Sequence, residues 1–420
     1  MLNPAHNLYF HVPFCAHKCN YCAFYSVELP PSLRGENKLP DIWSSYKNEI
    51  LSELDYWSSR VGRVDVPTIF FGGGTPSLMP VEIFAEIMAS TREKFNVLPN
   101  AEITIEANPG TIDSAQLREF IAAGVNRISI GVQSLNDEEL KFLGRIHDSE
   151  TAREFIKTAQ NSDIRVSADF IYGLPNQTAR DVRAMCEQIN ELGLTHCSMY
   201  ELSIEKGTPF AGQNLRMPNN ETMAAMYEEI GKTLNLPRYE VSNYALPGQE
   251  CKHNSNIWDG EPYLGFGPSA AGRPFINGEW YETKVEPRFP FCVGKSASQV
   301  FPSCGGVAAG RGGSVNSRRL QEPPRGSQNS EAAPLHRRGT ETPPQVRINK
   351  LSMHERSLEI LMTGLRTARG VKIIPEIRDI INLDFVHNNK VFEIVKTADG
   401  QRLRLNNFLT LDSLLVNLLK

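Results

Sequence analysis

The sequence predicts an α/β protein in which a parallel sheet, covered by helices on its outside, bends into a partial barrel. Three observations lead to this prediction. Apolar segments of strand length alternate six times with segments of helical periodicity, and the joints between them are short. Polar or glycine-rich motifs follow several of the strands. In parallel α/β folds, ligands bind at the carboxyl ends of the strands. Six units are too few for a closed eight-stranded barrel.

The first strand, Leu8 to Val12, begins close to the N-terminus and leads into a cysteine-rich loop. The loop carries three cysteines at spacings of four and three, Cys15, Cys19 and Cys22. Thiolates are soft ligands that suit an iron–sulfur cluster or zinc. Three thiolates on one loop favour a cluster that keeps one iron open to a non-protein ligand. The alternatives are a structural zinc with His11 or His17 as fourth ligand, and a disulfide loop.

Helices and strands then alternate along the chain. The predicted elements are helix 41–59, strand 66–71, helix 81–95, strand 101–107, a helix from 114, strand 127–132, helices 137–143 and 150–160, strand 165–172, helix 178–192, strand 196–204 and helix 221–234. In the helices the apolar residues share one face, as Leu117 and Phe120 do, and Asp41 and Asp113 are suitable N-caps. Gly124 follows the third helix as a stop signal. The strands are short apolar runs bounded by glycine, proline or polar residues.

Four strands carry residues or motifs that suit ligand binding, three of them at the end of the strand. Gly72 to Pro76 follows the second strand, and three glycines let a ligand approach bare backbone. Glu106 ends the third strand, where a carboxylate suits an amino group or a ribose diol. Gln133 ends the fourth and offers both a donor and an acceptor. Asp169 lies inside the apolar fifth strand, where a carboxylate needs a partner. Downstream, Arg145 supplies a cation that can hold a carboxylate with two hydrogen bonds.

The cysteine spacing, with Tyr21 before the third cysteine, resembles the radical S-adenosylmethionine (SAM) superfamily. The word from Tyr9 to Cys15, Tyr-x-His-x-Pro-Phe-Cys, resembles the branch that contains oxygen-independent coproporphyrinogen III oxidases and the HemW family of heme chaperones. The resemblance implies a (β/α)6 partial TIM-like barrel, a [4Fe–4S] cluster on the three cysteines, and bound SAM. It assigns SAM contacts to Tyr9, Tyr21, Gly73, Gly74, Thr75, Glu106, Gln133, Arg145 and Asp169.

Two sequence motifs distinguish the coproporphyrinogen oxidases of this branch from the heme chaperones. The oxidases resemble Cys-x3-Cys-x2-Cys-x-Cys, whereas this chain has Phe24 at the last position, as the heme chaperones do. The word from Cys251 to Trp258, Cys-Lys-His-Asn-Ser-Asn-Ile-Trp, resembles the chaperones' His-Asn-x-x-Tyr-Trp, with Ile257 in place of tyrosine. Histidine is a natural axial ligand of heme iron, and tryptophan can cover a porphyrin. The expected heme ligand is therefore His253, with Cys251 as a competitor and a backbone-bonded loop histidine as the alternative.

The resemblance implies a protein that binds heme and passes it to hemoproteins, with a reductant for the cluster as a further partner. Whether the chain is an enzyme stays open. If it is catalytic, the implied reaction is the oxidative decarboxylation of coproporphyrinogen III, and the third possibility is a non-catalytic, metal-stabilised barrel. The segment from Gly265 to Gly272 corresponds to a motif in which relatives often have a histidine. This chain has Ala271 at that position.

Three parts of the chain are expected. Residues 1–275 form the barrel, 276–350 an irregular segment, and 351–420 a small helical, winged-helix-like domain with a last amphipathic helix over 411–419. Residues 288–347 are rich in Gly, Pro, Ser and Arg and show no periodicity. They indicate disorder, a basic nucleic-acid-binding insertion, or a reading-frame error.

Composition limits the function classes. The net charge of −4 does not favour nucleic acid as a partner. No apolar run approaches the length of a membrane helix, about 20 residues, and the N-terminus lacks the pattern of a signal peptide. Eight cysteines scattered over 420 residues do not form a disulfide framework. A cytoplasmic protein without stable membrane insertion is expected.

Overall fold

The computed structural model describes residues 3–29, 40–287, 346–406, 408 and 418–419. Two features considered above therefore lie outside the described residues. They are nearly all of the segment 288–347, which includes Cys292 and Cys304, and almost the whole of the last predicted helix, 411–419.

An eight-stranded sheet forms the body of the protein. Its strands are β1 (Asn7–Val12), β4 (Asp65–Gly73), β5 (Asn96–Ala107), β6 (Arg127–Gln133), β7 (Arg165–Tyr172), β8 (His196–Glu201), β9 (Asn243–Ala245) and β10 (Tyr263–Phe266), and they lie in the order β10-β1-β4-β5-β6-β7-β8-β9. All neighbours are parallel except β8 and β9. The six predicted strands are confirmed, and β10 extends the sheet beside β1. The two end strands do not pair, so the barrel is open.

Helices follow the parallel strands and cover the outside. They are α1 (Pro40–Val61), α2 (Val81–Lys94), α3 (Ser114–Ala122), α4 (Asp137–Leu143), α5 (Ser149–Gln160), α6 (Ala179–Glu191) and α7 (Asn220–Thr233). Asp113 caps α3 as predicted, and its carboxylate accepts the backbone N–H groups of Ala115 and Gln116. The outward face of the sheet is apolar, and Phe10 stacks on Phe71 with ring centroids 4.6 Å apart. This face and the helices form one continuous core.

The opposite face of the strands lines the barrel lumen and is largely polar. Alternate residues point to opposite sides of a strand, so every second residue faces inward. The inward set includes Asn7, Tyr9, Thr68, Glu102, Thr104, Glu106, Arg127, Ser129, Arg165, Ser167, Asp169, His196 and Ser198. Buried parallel sheets usually carry apolar residues on both faces, so a polar lumen marks a space built for polar ligands.

Short elements complete the barrel at both ends. The cysteine loop lies between β1 and α1 and contains the paired strands β2 (Phe14–Cys15) and β3 (Val27–Glu28). Helix α8 (Lys252–Trp258) connects β9 to β10 and contacts β1 and β4. We call the part of the lumen beside α8, at the amino ends of the strands, the barrel floor.

A small antiparallel sheet follows β10. It contains β11 (Ala271–Gly272), β12 (Phe275–Ile276), β13 (Glu279–Val285) and β14 (Val346–Lys350), in which β14 pairs with β13. The structure therefore differs from the irregular segment predicted over 276–350 at both of its ends. The alternation of β13 is weak because its residues are mostly half-buried, so the sequence shows no clear strand pattern.

The C-terminal part has a core of its own. It consists of α9 (Met353–Gly364), α10 (Pro375–Ile380), α11 (Leu383–Asn388) and a three-stranded sheet of β15 (Val371–Lys372), β16 (Phe392–Thr397) and β17 (Gly400–Leu405). Leu361, Ile377 and Leu403 are fully buried in this core. Ser352 caps α9 with a capping box. Helices and a small antiparallel sheet, of which β15 lies between α9 and α10, agree with the predicted helical, winged-helix-like domain.

Candidate functional site

The three cysteines lie on the loop that β1 presents at the carboxyl end of the barrel. Cys15 is buried, whereas Cys19 and Cys22 are half-buried. Burial raises the pKa of the Cys15 thiol to about 11, while hydrogen bonds from the Thr75 and Ser26 hydroxyls lower it. A thiol with such a pKa ionises when it coordinates a metal, because a bound cation removes the proton outright.

The geometry disfavours the two alternatives to a cluster. None of the six cysteines in the described part of the chain, including the three of the loop, forms a disulfide. Both ring nitrogens of His11 are engaged, at 3.0 Å from the Tyr9 hydroxyl and 2.7 Å from the Tyr25 carbonyl oxygen. His17 instead lies 3.2 Å from the Glu28 carboxylate. Within residues 3–29, 40–287 and 346–406, no His, Cys, Asp or Glu side chains converge as the ligands of one ion would. An iron–sulfur cluster needs no such convergence, since each thiolate binds a different iron.

The glycine-rich segment from Gly72 to Pro76, at the end of β4, packs against the cysteine loop. A Cβ atom on Gly74 would lie 2.6 Å from the Phe14 carbonyl oxygen, so only glycine fits there. Gly73 has φ of +111°, and its N–H donates to Glu106 Oε2 at 3.0 Å. The Thr75 N–H donates to the Phe14 carbonyl at 2.7 Å. Gly73, Gly74, Thr75 and Glu106 thus form one edge of the lumen beside Cys15.

Arg145 reaches the same place from the loop after α4. Its Nη2 donates to Asn108 Oδ1 and to the Gly131 carbonyl oxygen, both at 2.6 Å, and its Nη1 donates to Cys19 Sγ at 3.2 Å. Its Nε is buried without a partner in the described part of the chain. Tyr21 also bonds this guanidinium and, with Cys19, helps to raise the pKa of Arg145 against the effect of burial. Arg145 therefore connects the cysteine loop to the ends of β5 and β6.

Asn108 is a residue that sequence analysis passed over. Its Nδ2 donates to Thr75 Oγ1 at 3.0 Å while its Oδ1 accepts from Arg145, so it joins the glycine word to the cation. The signal was present, because Asn108 stands two residues after Glu106 in the word that ends β5. In a sequence, an amide that binds only protein groups is harder to recognise as a site residue than a carboxylate.

Gln133 and Asp169 complete the polar edge on the far side. Gln133 has φ of +72°, a conformation that costs energy for a residue other than glycine, and its Oε1 is buried without a partner in the described residues. Such strain at a strand end is typical of a ligand-binding position. Asp169 accepts a hydrogen bond from the Ser129 hydroxyl at 3.1 Å. Tyr9 faces the lumen from β1, and burial together with the nearby Glu106 raises the pKa of its hydroxyl well above the usual value.

This arrangement fits a cluster with SAM beside it. Three thiols outside any disulfide lie on one loop, and two buried polar atoms, Gln133 Oε1 and Arg145 Nε, have no partner among the described residues. A cradle that only glycine tolerates lies between them. Cys15, Cys19 and Cys22 would hold the cluster, and the polar edge would hold SAM. The Nη atoms of Arg145 already donate to three acceptors, so its Nε is the donor left for a carboxylate.

His253 is not part of this edge; it lies on the barrel floor, with its ring 5.2 Å from the ring of Phe70. It belongs to α8 rather than to a loop and is only 2% exposed. The Thr68 hydroxyl donates to Asn7 Oδ1, so the His253 Nδ1–H must donate to Thr68 Oγ1, at 2.7 Å. The other nitrogen, Nε2, is an acceptor with no partner among the described residues. Burial lowers the pKa of His253 to about 4, so the ring is neutral at physiological pH.

Glu102 fastens α8 to the floor. Its carboxylate accepts the N–H groups of Lys252 at 3.1 Å and His253 at 2.9 Å, and it pairs with Arg165 at 2.8 Å. The thiol of Cys251 also points at Glu102, and burial raises the pKa of that thiol to about 12. Trp258 is 6% exposed. The segment from Cys251 to Trp258 therefore covers the barrel floor, and its tryptophan is itself buried.

Several known proteins are similar to this chain. The model of the Radical SAM superfamily matches residues 9–189. The heme chaperone HemW of Escherichia coli is 37% identical over 274 residues, which are 64% of this chain and 70% of that protein. The heme chaperone HemW of Haemophilus influenzae is 34% identical over 281 residues, 66% of this chain and 72% of that protein.

Among solved structures, coproporphyrinogen III oxidase (HemN) from Escherichia coli, a radical SAM enzyme, has a similar fold. Its TM-score is 0.69 at 18% sequence identity, and the match covers 99% of this chain and 89% of that one. The fold and the site define a radical SAM protein with an open barrel. The chain belongs to the radical SAM superfamily and, within it, to the family of the heme chaperone HemW.

Proposed function

We propose that the protein is a heme chaperone, which binds heme and transfers it to hemoproteins and carries a [4Fe–4S] cluster and SAM. The observation that carries this proposal is the identity of 34–37% to heme chaperones, together with Phe24 at the position of the oxidases' fourth cysteine. Phe24 is 42% exposed and supplies no ligand. When bound, the cluster and SAM would supply reductive cleavage chemistry at the carboxyl edge.

The partners and the location belong to the same proposal. A reductant would supply electrons to the cluster, and acceptor hemoproteins would receive heme. We assign no role to nucleic acid, because the net charge is −4. In the described part of the chain, no helix has the length and apolarity needed to span a membrane. A cytoplasmic site of action, without stable membrane insertion, suits six free cysteines in the described chain.

The proposed heme ligand is His253. Because His253 is buried, heme binding through it requires a movement of α8. Its neutral ring and unpartnered Nε2 suit an iron ligand. At 2% exposure the nitrogen cannot meet a porphyrin unless α8 moves away from the floor. Cys251, the competing ligand, is fully buried and faces the same restriction. Heme binding through either residue therefore requires an opening of the floor.

Replacement of His253 tests the ligand assignment. The His253→Ala chain is expected to bind heme more weakly, or to shift the Soret band, since the iron loses its imidazole ligand. Titration of purified protein with heme, followed by absorption spectroscopy, measures this. The matched control is His17→Ala, because His17 is half-exposed on the cysteine loop and would leave the spectrum unchanged. A normal spectrum in His253→Ala with a changed spectrum in His17→Ala would contradict the assignment.

A further inference from the structure

The C-terminal part of the chain is attached to both ends of α8, the helix that covers the barrel floor. At the amino end, the Tyr239 hydroxyl accepts the N–H of Cys251 at 3.3 Å. The backbone of Tyr239 is itself bound to the C-terminal part, because the Ala368 N–H donates to its carbonyl oxygen at 2.9 Å. The Val241 N–H likewise donates to the Arg366 carbonyl oxygen. A short antiparallel bridge therefore connects the C-terminal part to the residue that holds the start of α8.

Arginines of the C-terminal part hold the other end of α8. Asp259 is the C-cap of the helix, and its carboxylate lies 3.0 Å from Arg369 Nη1 and 3.6 Å from Arg402 Nη1. The Arg356 guanidinium donates to the carbonyl oxygen of Gly260, the next residue. A carboxylate at the C-terminal end of a helix is repelled by the helix dipole, so cations beside Asp259 stabilise this end. We call Asp259, Gly260 and these arginines the latch.

The latch is closely packed against its surroundings. Gly260 has φ of +83°, and a Cβ atom on it would lie 2.8 Å from Ile360 Cγ1 on α9. Arg356 is 3% exposed, and its guanidinium lies over the Trp280 ring, 4.0 Å from the ring centroid. A displacement of the end of α8 relative to the C-terminal part therefore breaks charged contacts and opens a packed interface.

The barrel holds α8 through a separate set of contacts. Glu102 accepts the first two N–H groups of the helix, and Asn256 Nδ2 donates to Asn7 Oδ1 at 2.9 Å. His253 Nε2 is buried and has no partner among the described residues. The helix must leave both sets of contacts before this nitrogen meets a ligand. A weaker latch therefore raises the population of molecules with an open floor.

We infer that the latch keeps α8 closed over the barrel floor, and that its release exposes Cys251 and His253. The inference rests on the proposed function, since heme reaches the proposed ligand only through an open floor. It adds a means of regulation to that function. The C-terminal part controls the uptake and release of heme by holding a helix, not by supplying an iron ligand.

Alkylation of Cys251 measures the opening of the floor without heme. The full-length, reconstituted protein is treated with N-ethylmaleimide under native conditions, and peptide mass spectrometry follows each cysteine. Cys251 is fully buried, so it reacts only when α8 leaves the floor. Asp259→Asn keeps the shape of the side chain but removes its charge, and is expected to raise the labelling rate of Cys251 about fivefold. Cys186, fully buried on α6, is the internal reference, and its rate should not change.

Arg369→Gln is a second variant that decides the test if Asp259→Asn fails to fold. The Arg369 side chain is 64% exposed, so its loss should leave the fold intact while it removes one cation from Asp259. Labelling of Cys251 is expected to rise about twofold. The matched control is Lys396→Gln, which removes the same charge from an exposed residue of β16 in the same part of the chain. This variant should label like wild type.

Heme association with the same variants, followed by stopped-flow absorption, separates this inference from the proposed function. Faster labelling and faster heme association in Asp259→Asn would support both. Faster labelling in variants that bind no heme would support the latch and contradict the heme function. Unchanged labelling in both Asp259→Asn and Arg369→Gln would overturn the latch, whether or not heme binds. Faster labelling with heme association at the wild-type rate would overturn control of heme uptake by the latch.

Discussion

Replacement of Cys15, Cys19 or Cys22 by alanine is expected to abolish the iron–sulfur chromophore of the protein after anaerobic reconstitution. A cubane with three protein thiolates keeps one iron open, and the loss of one more leaves two ligands for four irons. The loop offers no replacement, because His11 and His17 are engaged elsewhere. Iron and sulfide analysis, with absorption spectra, measures the effect.

Cys186→Ala is the matched control for these variants. Cys186 is fully buried on α6 among apolar side chains, away from the loop. Its loss leaves a small cavity but all three proposed ligands, so the variant should retain the chromophore. Stoichiometric zinc without sulfide in the reconstituted wild type would contradict the assignment of a cluster.

Arg145→Ala is expected to weaken SAM binding by about 1.5–3 kcal/mol, or roughly 10- to 150-fold. The substitution removes the cation that joins Cys19, Asn108 and Gly131 at the carboxyl edge. A carboxylate placed there loses its charged partner, and the Asn108 side chain loses its anchor. Calorimetry on the reconstituted protein measures the affinity, after the chromophore has shown that the cluster is present.

The control for this prediction is Arg180→Ala. Arg180 is an exposed residue of α6 with no role at the edge, so its loss should leave SAM affinity unchanged. Asp169→Asn, which keeps the shape of the side chain, should weaken binding as well. Unchanged SAM affinity in both Arg145→Ala and Asp169→Asn would remove these residues from the site.

Much of the fold could be predicted because its elements are locally specified. Helix α4 and strand β7 were predicted with the bounds that the structure shows, since caps and apolar periodicity mark them. The polar lumen was not predicted. The inward residues Glu102, Thr104 and Glu106 alternate with apolar ones in β5, but this alternation alone does not show which face lines a lumen. Which face turns inward depends on the closure of the sheet, which is non-local.

The carboxyl edge could be predicted because its sequence motifs follow the strands. In a parallel sheet the carboxyl ends of the strands lie at one edge, so these motifs come together. The surroundings of His253 could not. The sequence shows a histidine between polar residues, which predicts a loop, whereas Glu102 draws the backbone into α8 from a strand that lies about 150 residues earlier. Only the folded chain shows that contact, and with it the burial of the proposed heme ligand.

The proposed function is tested most directly by one experiment on one preparation. Anaerobically reconstituted protein is given heme together with an apo-hemoprotein, and in parallel coproporphyrinogen III together with SAM and a reductant. The heme chaperone account predicts retention of heme by the chain, its transfer to the acceptor, and no conversion of the porphyrinogen. Robust conversion of coproporphyrinogen III without heme binding would contradict the account and identify the chain as an oxidase.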